Sequence, residues 1–194
     1  MNTKEKIIHA AIEVFFSKGF DGASMREIAA IAGVTKPVIY YYFKDKETLY
    51  LKLLEDHLDA FCTELEHILA RNEEYQQLFL SVISLYETTF SKGAKIYHII
   101  QREISGNGRF VGMLTKKYFS RIFTQLTTLM QKGIRHSVVR PIHDSHLAGL
   151  SFSAILLFYY SQSVVLKHLS RYVPPGTFSV YSLREHIMDL FLNR

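Results

Sequence analysis

The stretch Gly33-Val-Thr-Lys-Pro-Val-Ile-Tyr-Tyr-Tyr-Phe43 carries the residues best suited to work on a polar partner. Three consecutive phenols follow a glycine and a proline. A buried phenol must find a hydrogen-bond partner for its hydroxyl, so three in a row suit a face turned toward a hydrogen-bonding surface. Ile39 and Phe43 stand four apart and set the buried direction of a helix. At about 100° per residue, Tyr41 then points outward between Pro37 and Val38, while Tyr40 and Tyr42 flank the buried stripe. Rings that can touch thymine methyls and hydroxyls that can reach phosphates and base edges make a groove-reading surface.

Other groups offer weaker chemistry. His136, His143 and His146 with Asp144 could be drawn as a metal cluster, but His-x-x-His at a turn lacks the spacing of a zinc site. Asp144 reads instead as a helix N-cap. No GxSxG, phosphate loop or glycine-rich dinucleotide turn occurs. No enzyme, no metal and no cofactor are expected. The single cysteine, Cys62, excludes a disulfide within the chain and suits a small core residue in a reducing compartment. His9 and Glu13 interrupt the apolar run at the start, so no signal peptide is indicated and the cytoplasm is expected.

The elements that position these residues are helical throughout, which makes the fold class all-α. Ile7, Ile8, Ala11, Ile12 and Phe15 follow helical spacing, with Gly19 as a stop. Ser24-Met-Arg-Glu27 reads as a capping box before a helix that ends at Gly33. Thr35 is the expected N-cap of the tyrosine helix, with Val34 and Ile39 as its staple. Asp45 caps a long run to about residue 70. Further runs cover roughly 73–90, 94–105, 109–135, 145–170 and 179–192. The short helices precede the long ones, so a helix-turn-helix module over 1–46 and a larger helical body over 47–194 are expected.

Charge is unevenly placed. Residues 47–91 hold two basic against nine acidic side chains, and residues 92–140 hold ten basic against one acidic. Neighbouring helices that complement one another account for this alternation, and a basic patch for an acidic partner is the other reading. Residues 147–166 contain no charge, the length and apolarity of a membrane span. Five of them are Ser or Gln, which suits a helix buried in a core and a subunit interface instead.

With Gly19-Phe20, Ser24 through Ala29, Ala32 through Thr35, Pro37 through Phe43, Lys44-Asp-Lys46 and Leu49 in place, residues 1–50 resemble the DNA-binding domain of the TetR family of bacterial transcriptional regulators. The resemblance implies a homodimer on a palindromic operator, with DNA contacts from Ser24, Arg26, Thr35, Lys36, Pro37, Val38, Tyr41, Tyr42 and Lys46. It implies dimerisation through the helices near 145–170 and 179–192, and a ligand-binding body. Release from DNA by a small-molecule effector and repression are the expected behaviour. An activator, a regulator without a small ligand, or an enzyme are the alternatives. An effector site is expected from Tyr86, Phe90, Phe119, Phe123 and Tyr159 as apolar lining, with His98 and Arg102 as basic groups. That combination suits an amphipathic anion.

Overall fold

The computed structural model describes residues 2–106 and 108–193 of the 194-residue chain. Its described residues form α1 (Thr3–Gly22), α2 (Met25–Ala32), α3 (Lys36–Tyr42), α4 (Lys46–Leu69), α5 (Tyr75–Lys92) and α6 (Ala94–Ser105). A short α7 (Val111–Leu114) runs through a π-helical turn, Thr115–Phe119, into α8 (Ser120–Arg135). Then come α9 (Ser145–Ser161), α10 (Ser163–Leu169) and α11 (Val180–Phe191). One isolated antiparallel bridge joins Val139 to Leu192, and the fold is all-α.

The chain divides into two compact units. The first comprises Met1–Ala60 and Gly93–Leu114, the second Phe61–Lys92 and Thr115–Arg194. The expected boundary at residue 46 coincides with the start of α4, whereas the first unit runs on to Ala60 and also takes in α6.

In the first unit α1 packs on α2 and on α6. Ile7, Ala10, Ala11, Val14 and Phe15 bury one face of α1, and Ile28 and Ala29 of α2 with Leu49 and Leu53 of α4 are buried as the rest of this unit's core. Alanines at the contact let short helices approach closely while large residues fill the centre. In the second unit α8 and α5 pack on α9, and Phe79, Phe152 and Phe191 meet edge to face. Gly149 is needed at the α8 crossing: a Cβ there would lie 3.1 Å from the backbone of Leu126 and Thr127.

Two features were not expected from the sequence. The run from 145 to 170 breaks at Gln162, where α9 and α10 bend by 77°. Among the described residues, therefore, no single helix is long and apolar enough to cross a membrane. The run from 109 to 135 is interrupted by the π turn, beside which the Cys62 thiol points at the Tyr118 carbonyl.

Candidate nucleic-acid interface and effector cavity

The helix-turn-helix is assembled by caps. The Ser24 hydroxyl accepts from the Glu27 amide at 3.2 Å and starts α2. Glu27 completes only half of the expected capping box, because its carboxylate is drawn 2.6 Å from the Lys18 ammonium. Gly33 ends α2 with φ +67°, ψ +33°, the left-handed conformation that glycine adopts without a Cβ penalty. Thr35 is the N-cap of α3 by backbone position, but its hydroxyl makes no capping hydrogen bond, unlike that of Ser24. Asp45 Oδ1 accepts from the Thr48 amide at 2.7 Å, which holds the Asp45 carboxyl below its ordinary value.

The tyrosine run is sorted as the helical wheel requires. Ile39 and Phe43 are buried, Tyr41 is 84% exposed, and Tyr40 and Tyr42 are 42% and 39% exposed. Thr35, Lys36 and Pro37 are exposed and Val38 is half-buried beside them. Ser24 and Arg26 are exposed at the start of α2. Eight of the nine residues expected to touch DNA thus have accessible side chains on α2, α3 and the turn between them. The ninth, Lys46, is otherwise engaged. Its ammonium donates to the carbonyls of Phe20 at 2.8 Å and Ala23 at 3.1 Å and lies 4.5 Å from the Phe20 ring centroid. A cation held by the open carbonyls at the end of α1 positions the module, and a backbone phosphate would have to compete with those bonds.

The same end of α1 explains Arg102. Gly19 breaks the helix with φ 72° and ψ −177°, a region open to glycine alone. The Arg102 guanidinium fills the kink, donating to the carbonyls of Phe15 at 3.2 Å and Phe16 at 3.0 Å. A neighbouring anchor is Glu103, a buried carboxylate that accepts from the Tyr50 hydroxyl at 3.1 Å and the Phe110 amide at 2.7 Å. Burial and that carboxylate push the Tyr50 phenol far above its ordinary range, so it stays a donor. Arg102 was expected to bind an effector, yet both terminal nitrogens of its guanidinium donate to carbonyls at the α1 kink. His98, expected beside it, is exposed in the first unit with its ring 5.8 Å from that of Phe16.

The remaining expected effector residues belong to the second unit. Tyr86 and Phe90 stack at 6.2 Å, Phe90 stacks on Tyr160 at 5.5 Å, and Tyr160 meets Tyr159 edge to face at 5.0 Å. The Tyr86 hydroxyl is bonded to Ser153 at 2.8 Å and the Tyr159 hydroxyl donates to the Phe178 carbonyl at 2.7 Å. Only the Tyr159–Tyr160 end of this row opens on a cavity of about 320 Å³ at the α9–α10 bend, where Ser163, Leu166, Lys167 and Phe178 complete the wall. Tyr86 and Phe90 are buried in the core behind it. The Tyr160 hydroxyl is buried with no hydrogen-bond partner among the described residues, and burial raises its pKa well above the ordinary tyrosine value. Phe123 takes another place, stacked on His146 at 6.0 Å, and Phe119 is half-buried at the end of the π turn. Sequence reasoning missed Tyr160 and Lys167. Lys167 ends the uncharged stretch one residue beyond it, but only the break at Gln162 brings it back toward the tyrosines.

Asp144 caps α9 as expected, accepting from the amides of His146 and Leu147. Among the described residues no group of histidine, cysteine and carboxylate side chains is arranged to hold a metal ion.

Residues 7–53 match the family model described as bacterial regulatory proteins, tetR family. The HTH-type transcriptional regulator RutR of Escherichia coli K12 is 38% identical over 85 residues, 41% of this chain and 40% of that protein. The HTH-type transcriptional activator FasR of Mycolicibacterium smegmatis is 32% identical over 95 residues, 49% of this chain and 43% of that protein. The chain thus spans less than half the length of these two curated relatives. The fold extends further than the sequence likeness. The crystal structure of a transcriptional regulator FadR from Bacillus subtilis, in complex with stearoyl-CoA, superposes with a TM-score of 0.74 over 96% of both chains at 19% identity.

Proposed function

From the premise that the chain belongs to the TetR family of bacterial regulatory proteins, we propose that it is a homodimeric, ligand-responsive repressor of transcription that binds a palindromic operator. The observation that carries this reading is the outward face of α3, held on buried Ile39 and Phe43, with Lys36 exposed in its first turn and Arg26 exposed on α2. Thr35, Lys36, Pro37, Val38, Tyr41 and Tyr42 address the groove, while Ser24 and Arg26 address the backbone. Two copies place their recognition helices about 34–36 Å apart, one DNA turn. The apolar stripe of Leu147, Leu150 and Phe158 on α9 supports dimerisation, since a second copy is the partner that symmetry supplies.

The effector of this reading is an amphipathic anion with a long apolar body, of the fatty-acyl class. Tyr159, Tyr160, Leu166 and Phe178 give the apolar wall, the Tyr160 hydroxyl a donor, and Lys167 a cation at the mouth. The stearoyl-CoA complex of the structural neighbour is consistent with that class. Such a ligand releases DNA only by binding the released conformer more tightly than the bound one.

The test is a gel shift on DNA upstream of the protein's own gene at low salt, with stearoyl-CoA and a lipophilic cation in parallel. Binding relieved by the acyl compound alone is expected. At 100 times its dissociation constant the acyl compound should also stabilise the fold by about 2.7 kcal/mol. Release by the cation alone overturns the effector assignment, and failure to bind any upstream fragment overturns the regulator. FasR is named an activator, so a reporter fused to the bound promoter decides the direction of control.

A further inference from the structure

We propose that this recognition surface selects its operator through thymine 5-methyl groups, read by Pro37, Val38 and Tyr41, rather than through bidentate hydrogen bonds to bases. The inference rests on the DNA-binding reading above and specifies which bases it selects. In the major groove adenine is read by Asn or Gln, cytosine by Asp or Glu, and guanine by Arg or Lys. Between Thr35 and Phe43 there is no Asn, Gln, Asp, Glu or Arg. The one cation there, Lys36, stands in the first turn with its ammonium 5.8 Å from the Tyr40 ring centroid.

The outward face offers apolar groups instead. Pro37 and Tyr41 stand four residues apart and share one side of the helix, with Val38 beside them. Tyr41 is among the most exposed large side chains of the chain, and its ring is set edge to face against Tyr42, 5.2 Å away at an interplanar angle of 87°. Tyr42 thereby limits how far the Tyr41 ring can swing. The only apolar group that a base edge presents in the major groove is the methyl of thymine. A surface with a pyrrolidine ring, a branched aliphatic and a fixed aromatic ring gains most where thymines lie under it. Phosphate contacts from Ser24 and Arg26 then set register without choosing sequence.

The experiment uses the footprinted operator with deoxyuridine in place of each thymidine of the protected half-sites in turn, which deletes the methyl and keeps the pairing. Losing one buried methyl should weaken binding about fourfold, and roughly fifteenfold when both symmetric positions are changed. Tyr41→Phe should keep both affinity and deoxyuridine sensitivity. Tyr41→Ala should bind more weakly and respond no further to deoxyuridine at the thymine it reads. Its melting temperature should stay unchanged, because the ring is exposed. Wild-type binding indifferent to every deoxyuridine overturns the inference alone. So does a Tyr41→Phe variant as weak as Tyr41→Ala, which would assign the contact to the hydroxyl. Absence of any promoter binding by the unsubstituted protein overturns the inference together with the regulator reading beneath it.

Discussion

Tyr41 in the first unit and Phe158 in the second are both aromatic and both largely exposed, at 84% and 58%, yet they stand on different kinds of surface. Tyr41 sits on a seven-residue helix among Thr35, Lys36 and Tyr42, where hydroxyls and a cation alternate with rings. Phe158 continues a stripe with Leu147, Leu150 and Ala154 on a helix that carries no charge beyond its first turn. An exposed aromatic is therefore read from its neighbours. A mixed polar and apolar setting suits the groove of a nucleic acid, and a continuous apolar stripe suits another protein surface.

The largest effect is expected from the orientation of α3. Phe43→Ala empties a fully buried site and should cost about 3–5 kcal/mol in urea denaturation, whereas Tyr41→Ala should cost almost nothing. The reverse ranking would turn α3 around. Next in size is the α9 stripe. Phe158→Arg puts an unpartnered cation where a second copy should pack, and should weaken self-association by at least about a hundredfold, near 2.8 kcal/mol. Analytical ultracentrifugation should then find a folded monomer, and an unaltered dimer would remove α9 from the interface.

A smaller effect is expected at the α1 kink. Gly19→Ala forces a side chain into a backbone region open to glycine alone and should cost about 1–3 kcal/mol. Circular dichroism melts would show whether the Arg102 latch tolerates it. The smallest effect belongs to His57, whose pKa burial lowers below its ordinary 6.5. Because the folded state holds this ring neutral, its contribution is fully present above pH 6.5 and is lost as the pH falls from there through the lower pKa of the folded state. His57→Gln should therefore flatten the decline in melting temperature between pH 7.5 and 5.5.

The first unit was legible almost residue by residue, because short helices depend on local signals. Ser24, Gly33 and Asp45 announce their helix ends, and the four-residue step from Ile39 to Phe43 orients every tyrosine. What stayed hidden there were long-range partners. No spacing could show that Lys46 turns back to the carbonyls of Phe20 and Ala23, or that Arg102 reaches across 86 residues to Phe16. In the second unit the helices were legible but their breaks were not. Ser161-Gln162-Ser163 contains neither glycine nor proline, so the bend that brings Lys167 to Tyr160 has no local signature. Five of the expected effector residues fall in that unit and only Tyr86, Phe90 and Tyr159 share the aromatic row, since helical periodicity fixes a face without fixing what it meets.

Whether the outward face of α3 reads DNA as one half of a dimer is decided by a hydroxyl-radical footprint on the promoter of the protein's own gene. Two protected half-sites related by a dyad are expected, centred about one helical turn, roughly 34–36 Å, apart, both weakened in Tyr41→Ala at a concentration that just saturates the unsubstituted protein and at which the variant remains folded. A single unsymmetric footprint, or a symmetric one that Tyr41→Ala leaves intact, would contradict that reading.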